Sequence, residues 1–265
     1  MVTAPRRPKQ SRTELRSLLL DTGRTVLREE GLGTGAEALT FKRVFERVQR
    51  DTGLRLTNAS IIRRVWANQA EYQADVLMAV AADPGDAEVD ETLEAVAAIF
   101  EGLDVSTLEA RWVAMRQLCR VVGAANVRAL LRSPNWPTWI GVWALATAGA
   151  LPERRPGIDA ALLEGYEGGT GRFEESYRAI TALLGVRLRE GFTLRQFAIA
   201  VGALAEGCAL RNRVDASNME GIVRLSGPGG QPEEWTLFAI GLEALVGQFL
   251  ESDPDWCPSA PTGVG

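Results

Sequence analysis

The chain has no histidine. Ser-His-Asp and Cys-His nucleophilic systems, histidine general bases and histidine-ligated metal sites all need an imidazole, so each is excluded. Carboxylate, lysine and tyrosine chemistry would survive that absence, but no constellation of such residues stands out, and the chain reads as a non-enzyme without a cofactor. There are three cysteines, Cys119, Cys208 and Cys257. They are odd in number and far apart, which gives neither a disulfide framework nor zinc-ligand spacing. Cys119 and Cys208 fall in apolar helical contexts and read as small core residues. No run of about 18 or more apolar residues appears, so no membrane span is expected. Arg6, Arg7, Lys9 and Arg12 are followed by no apolar core of a secretory leader, so a soluble cytoplasmic protein is expected. Alternating strand patterns and internal repeats are missing too.

What is present is a basic start on an acidic body. Of 29 Lys+Arg and 34 Asp+Glu, residues 1–80 hold 14 and 9, leaving 15 and 25 for the remainder. A basic third on an acidic chain suits contact with a polyanion. Only Lys9 and Lys42 are lysines, and the bias toward Arg, Ala and Gly also fits GC-rich coding.

Hydrophobic residues recur with helical period almost throughout. Leu15, Leu18, Leu19, Thr22 and Val26 form one stripe, with Ser11 and Glu14 at capping-box spacing and Gly31 as C-cap. A glycine-dotted loop covers 31–39. Thr40 caps a second helix with Phe41, Val44, Phe45 and Val48 on one side, closed at Gly53. A third runs from 57 or 58 to Trp66, and a fourth from Asn68 through Tyr72, Val76, Leu77 and Val80 to the stop at Asp83-Pro84-Gly85. Further helices are predicted at 87–102, 106–132 with a possible break at Gly123, 134–149, 157–190, 193–214 and 233–251. The expected fold is all-α: a three-helix N-terminal helix-turn-helix domain over 1–67, its first ten residues an unstructured basic arm, then a helical bundle over 68–252. The Pro- and Gly-rich tail 253–265 is expected to be disordered.

Short helices joined by a Gly-containing turn suit major-groove reading, where the third helix packs one face inward and presents polar groups outward. Ile61, Ile62, Val65 and Trp66 supply the inner face. Thr57, Asn58, Ser60, Arg63 and Arg64 supply the outer one, with Arg able to pair with guanine and Asn with adenine. Lys42, Arg43, Arg47 and Arg55 suit phosphate contact. A solvated charged face on a helical hairpin is the competing reading of the same residues.

The stretch Leu19-Leu20-Asp21-Thr22-Gly23-Arg24-Thr25-Val26-Leu27-Arg28-Glu29-Glu30-Gly31 resembles the first helix of the tetracycline-repressor (TetR) family, Ile-Leu-x-Ala-Ala-x-x-Leu-Phe-x-x-x-Gly. Thr40 and Val44-Phe45 match the family's second helix. Trp66, Asn68 and Glu71-Tyr72-Gln73-Ala74-Asp75-Val76-Leu77 match the end of the recognition helix and the opening of the fourth. The resemblance covers about 70 residues. The chain departs from the family in having nine residues from Val44 to Gly53 instead of five, and in placing Ile62 or Arg63 where a tyrosine is common. The register of the base-reading residues is left open by several positions.

The resemblance implies a homodimeric transcription regulator on a pseudo-palindromic operator in double-stranded DNA, a repressor released by a small-molecule effector. It implies that 193–214 and 233–251 form the dimer face, with Phe197, Val201, Leu204, Cys208, Phe238, Leu242, Leu245 and Phe249 at apolar helical spacing; packing of both helices inside a monomer is the alternative. The fourth helix, 68–82, would carry the effector's signal to the DNA-binding part. The middle aromatic cluster, Phe100, Trp112, Met115, Trp136, Trp139, Trp143, Tyr166 and Tyr177, is expected to line a pocket for an apolar or aromatic effector, ordinary core packing being the alternative for each. Gly31-x-Gly33-x-Gly35 and Gly168-Gly169-Thr170-Gly171 follow no strand and lack the phosphate-loop lysine. The adjacent pairs Glu29-Glu30, Glu174-Glu175 and Glu233-Glu234 point apart on a helix. The alternative function is a helical-bundle small-molecule-binding or catalytic protein with no DNA role, or a helical adaptor for protein partners.

Overall fold

Side-chain caps set the first helical boundaries. In a computed structural model describing residues 11–32, 36, 39–61, 64–83, 85, 87–100, 102–149 and 152–256, helix α1 (Arg12–Glu30) opens with the full Ser11/Glu14 capping box and closes at Gly31, whose φ is +77°. Helix α2 (Phe41–Thr52) is capped by Thr40 and closed by left-handed Gly53. Helix α3 (Asn58–Ile61) is short. The Val65 amide donates to the Ile61 carbonyl at 2.9 Å. Helix α4 (Gln69–Ala81) starts at Asn68, whose side chain accepts from the Glu71 amide. The chain continues through α5 (Ala87–Phe100), α6 (Leu108–Arg132), α7 (Trp136–Thr147) and α8 (Arg155–Leu184).

The fold is mostly helical, but the expectation of no strands fails. Strand β1 (Val186–Leu188) follows α8. After α9 (Leu194–Asp215) come β2 (Ile222–Leu225) and β3 (Pro232–Trp235), and after α10 (Leu237–Phe249) comes β4 (Leu250–Ser252). β1 pairs antiparallel with β4, Val186 facing Ser252, and β2 with β3, Ile222 facing Trp235. The predicted helix 157–190 therefore ends at Leu184, at Gly185 with φ +57°, where a Cβ would strike the Arg111 guanidinium and the Trp256 indole. The predicted helix 233–251 loses its first turn to β3 and starts after the Thr236 cap. Gly123 breaks nothing. It lies inside α6 where a Cβ would come within 3.1 Å of the Ala239 backbone, so it permits the close crossing of α6 and α10.

The chain forms two compact units that cut across the expected domains: residues 1–84 with 134–166, and 85–133 with 167–265. Helix α4 belongs to the first unit, packed on α1 and α7, and not to the bundle as the 68–252 boundary had it. The first unit's core joins Leu15, Leu19, Val26 and Leu27 to Val44, Phe45 and Val48, Ile61 and Val65, and Val76 and Leu77. Tyr72 ties it together. Its hydroxyl donates to the Leu19 carbonyl at 2.8 Å, and its ring lies 5.3 Å from Phe41 and 4.9 Å from Trp66. Burial raises the Tyr72 phenol well above its ordinary value. The start of the tail is held by Trp256, whose indole lies under the Arg111 guanidinium at 4.0 Å and donates to the Ala182 carbonyl at 2.8 Å. The basic arm 1–10 and residues 257–265 lie outside the described residues.

At the α1–α4 crossing, a Cβ on Gly23 would sit 2.5 Å from the Tyr72 hydroxyl and 2.7 Å from a Val76 methyl. Gly→Ala in an open helix gains about 0.5–1 kcal/mol, but overpacking a filled core costs about 1–3 kcal/mol. Gly23→Ala is therefore expected to lower the urea midpoint. Gly168→Ala in α8, with nothing within 4 Å of its Cβ, is expected to raise it. Equal effects of the two changes would contradict the close crossing.

Candidate functional site

The α2–α3 segment is amphipathic by construction. Phe41, Val44, Phe45 and Val48 of α2 are buried, as are Ile61, Val65 and Trp66 around α3. Lys42, Arg43, Arg55, Thr57, Asn58 and Arg64 are exposed. Trp66 is oriented by its Nε1, which donates 2.8 Å to Asp75; Arg16 meets the same carboxylate at 2.7 Å. Arg63 and Ile62 lie outside the described residues, as does the side chain of Ser60. Part of the basic face is already paired: Arg43 with Glu30, and Arg47 with Glu29 and Asp51. The Arg47 hydrogen bond holds the Glu29 carboxyl below its ordinary range. Exposed pairs of this kind hold a side chain in place more than they stabilise the fold.

The second unit holds a cavity of about 160 Å³ between α5, α6, α8, α9 and α10. Its walls carry Val96, Leu118, Phe173, Ile180, Val246 and Leu250 among other apolar side chains. Of the sequence-predicted pocket residues, Met115 and Tyr177 line it. The tryptophans do not. Trp136 and Trp139 are buried in the other unit, where the Trp139 Nε1 donates to the Ala81 carbonyl at 3.0 Å and its ring meets Tyr166 edge-on at 4.9 Å. Trp143 is 44% exposed. Trp112 is half-buried, its Nε1 donating to the Ser252 hydroxyl at 3.0 Å. The Phe100 side chain lies outside the described residues. Closeness in sequence misled here, because α6 and α7 go to different units.

The residues expected at a dimer face also need correction. Phe197, Val201, Phe238 and Leu242 line the cavity, and Cys208 is buried. Leu204 is half-buried against Gly241, and Phe249 packs on Phe192 and Phe197 with ring centroids 4.5 and 5.5 Å away. Leu245 is half-buried. The apolar stripes of α9 and α10 thus serve the interior of the chain's own second unit. The outward residues of α9 are Ile199, Leu210 and Val214, each at least 45% exposed. Of the α8 residues on the wall only Tyr177 was expected; Phe173 and Ile180, four residues before it and three after, share its face and were legible with it as one apolar stripe.

A hairpin of β2 and β3 is tied to the bundle by ion pairs. Glu243 of α10 accepts from Arg116 of α6 at 2.9 Å and from Arg224 of β2. Glu233 accepts from Gln117 at 3.0 Å and Ser226 at 2.8 Å. Burial works to raise both carboxyls, but these hydrogen bonds outweigh it and hold them below their ordinary range. No cluster of His, Cys, Asp and Glu among the described residues could hold a metal ion, and no described helix is long and apolar enough to cross a membrane.

No protein-family model matches the sequence, and no curated protein matches it.

Two acidic groups on the cavity wall are strongly desolvated. Burial, helped by the charge of Glu243, pushes the Cys119 thiol from 9.0 up to about 12, and burial likewise raises the Tyr177 phenol above 10.0. A raised folded-state pKa means that the folded chain holds its proton where the unfolded chain has lost it. That stabilisation is complete below the unfolded values and declines as pH climbs through the window above them. Stability to urea should hold level to about pH 9, where the unfolded thiol begins to ionise, and then fall, each group contributing up to about 1.4 kcal/mol per pH unit. Tyr177→Phe should flatten the part of that decline above pH 10. A urea midpoint unchanged to pH 11 would contradict the burial of both groups.

Proposed function

We propose that the chain is a sequence-specific DNA-binding transcription regulator, cytoplasmic and homodimeric, and a repressor released when a small apolar molecule occupies the cavity. The observation that carries this reading is the α2–α3 arrangement. Two helices joined through left-handed Gly53 bury their apolar sides, and Arg55, Thr57, Asn58 and Arg64 remain exposed beside Lys42 and Arg43. A helix-turn-helix needs this division, because its second helix must be held from behind and read from the front. The basic balance of residues 1–80 supports phosphate contact, and the resemblance to the tetracycline-repressor family supports the same assignment of the second and third helices.

The exposed apolar residues of α9, Ile199, Leu210 and Val214, support a second copy as partner. Two-fold pairing would present two α3 segments to half-sites about one DNA turn (~34–36 Å) apart or a multiple of it, hence an inverted-repeat operator. An effector changes DNA affinity only through a difference in its affinity for the two states of the protein. The chain passes between the units after residues 84 and 133 and inside α8 after Tyr166, and these three crossings are the covalent routes for that coupling.

A second reading, a ligand-binding helical protein with no DNA role, draws support from the pairing of Arg43 and Arg47 with Glu30, Glu29 and Asp51. Sequencing genomic fragments retained by the purified protein at about 150 mM salt separates the two. Inverted repeats enriched over background uphold the regulator, and flat coverage upholds the second reading. On an enriched site, Asn58→Ala and Arg64→Ala should each cost about 1–3 kcal/mol, while Lys42→Ala should lower the slope of log affinity against log salt by about one. Fluorescence anisotropy at several salt concentrations reads both; unchanged affinity in both base-face variants would remove α3 as the reader.

A further inference from the structure

The cavity wall is apolar with a sparse and particular set of polar groups. Tyr177 is held on two sides, stacked on Phe173 at 6.0 Å and edge-on to Phe197 at 5.0 Å, so its hydroxyl is fixed in place. That hydroxyl has no hydrogen-bond partner among the described residues, although Tyr177 lies half-buried on the cavity wall and burial, with Cys119 nearby, raises its pKa. A buried phenol normally finds a partner. Asn126 is also on the wall: its amide nitrogen donates to Thr92 Oγ1 at 3.1 Å, and its Oδ1 is buried with no partner. The wall therefore offers a donor and an acceptor that the protein itself leaves unused.

Charge and size narrow the occupant. Among the described lining residues none is cationic and one, Glu206, is a carboxylate. An anion entering here would lose its hydration without a counter-charge and meet a like charge. A cavity of about 160 Å³ is close to the roughly 150 Å³ that holds a benzene in an engineered apolar core.

We propose that the cavity selects a neutral, single-ring apolar ligand bearing one hydroxyl, with the Tyr177 hydroxyl donating to it and Asn126 Oδ1 as the acceptor on the wall. This rests on the reading of the cavity as the effector site. The ring fills the space between Phe173, Phe197 and Phe238, and the ligand hydroxyl accepts from Tyr177. A carboxylated ring is rejected by the uncompensated charge, and a ring without a polar group binds but forgoes the hydrogen bond.

Calorimetric titration of the full chain with phenol, toluene and benzoate tests this without any DNA present. Phenol should bind about fivefold more tightly than toluene, the factor that one ordinary net hydrogen bond supplies, and benzoate should not bind detectably. Tyr177→Phe should erase the preference for phenol while toluene binds as before, which separates loss of the hydroxyl from damage to the fold. Benzoate binding as tightly as phenol, toluene matching phenol on the unaltered chain, a preference that survives Tyr177→Phe, or no binding of any of the three would each overturn the assignment. The regulator reading is decided separately: phenol selectivity in a chain that retains no genomic fragments would remove that reading and uphold the ligand, and retained inverted repeats with equal phenol and toluene affinities would do the reverse.

Discussion

A buried indole or phenol brings a large apolar surface into the core together with one polar atom that must be hydrogen-bonded, and much of this fold is arranged around that requirement. Tyr72 reaches the Leu19 carbonyl, Trp66 reaches Asp75, and Trp139 reaches the Ala81 carbonyl, so three ring tips tie α4 to α1, to the end of α3 and to α7. In the other unit Trp235 donates to Ser226, Trp112 to Ser252 and Trp256 to the Ala182 carbonyl, fixing the hairpin, the β1–β4 pair and the turn at 253–256. Each of these bonds joins segments that local propensity alone would leave loosely packed. Tyr177 departs from this pattern: its ring is held between Phe173 and Phe197, and its hydroxyl meets no hydrogen-bond partner among the described residues.

The parts of the fold written in short-range chemistry were legible in the sequence. Ser11 with Glu14, Thr40, Asn68, Gly31 and Gly53 mark their helix ends because a cap is decided within four residues. The strands were not legible. With three or four residues each, they show at most two turns of alternation, and what makes 232–235 extended is the long-range burial of Trp235 opposite Ile222. Helical period likewise told that α9 and α10 each hide one face, but not against what. Phe197 and Phe238 hide theirs against a cavity within the same chain, a distinction that periodicity does not carry. The tryptophans erred for a related reason: a cluster in sequence becomes a cluster in space only when no unit boundary falls inside it, and one falls between α6 and α7. For the α2–α3 face, the identities of the inward residues were readable because β-branched and aromatic side chains there have no polar alternative, whereas the register of the outward ones was not, because α2 runs unbroken to Thr52 and sets where the turn at Gly53 falls.

The cavity has an energetic consequence that bears on how it should be read. Unfilled core volume costs on the order of 24 cal/mol per Å³, so about 160 Å³ forgoes roughly 4 kcal/mol that larger side chains would have contributed. That is a substantial share of the 5–15 kcal/mol by which a typical domain is stable. The sequence had inexpensive means to close the space, since Gly123, Gly202, Ala198 and Ala205 all stand on its wall. Gly123 is held small by the backbone of Ala239, but Gly202 has nothing within 4 Å of its missing Cβ. A wall that combines avoidable small residues, an unpaired phenol and an unpaired amide oxygen forgoes stability in three independent ways at one place. Slack packing accounts for the first of these alone; a bound molecule that fills the volume and meets the two polar atoms accounts for all three.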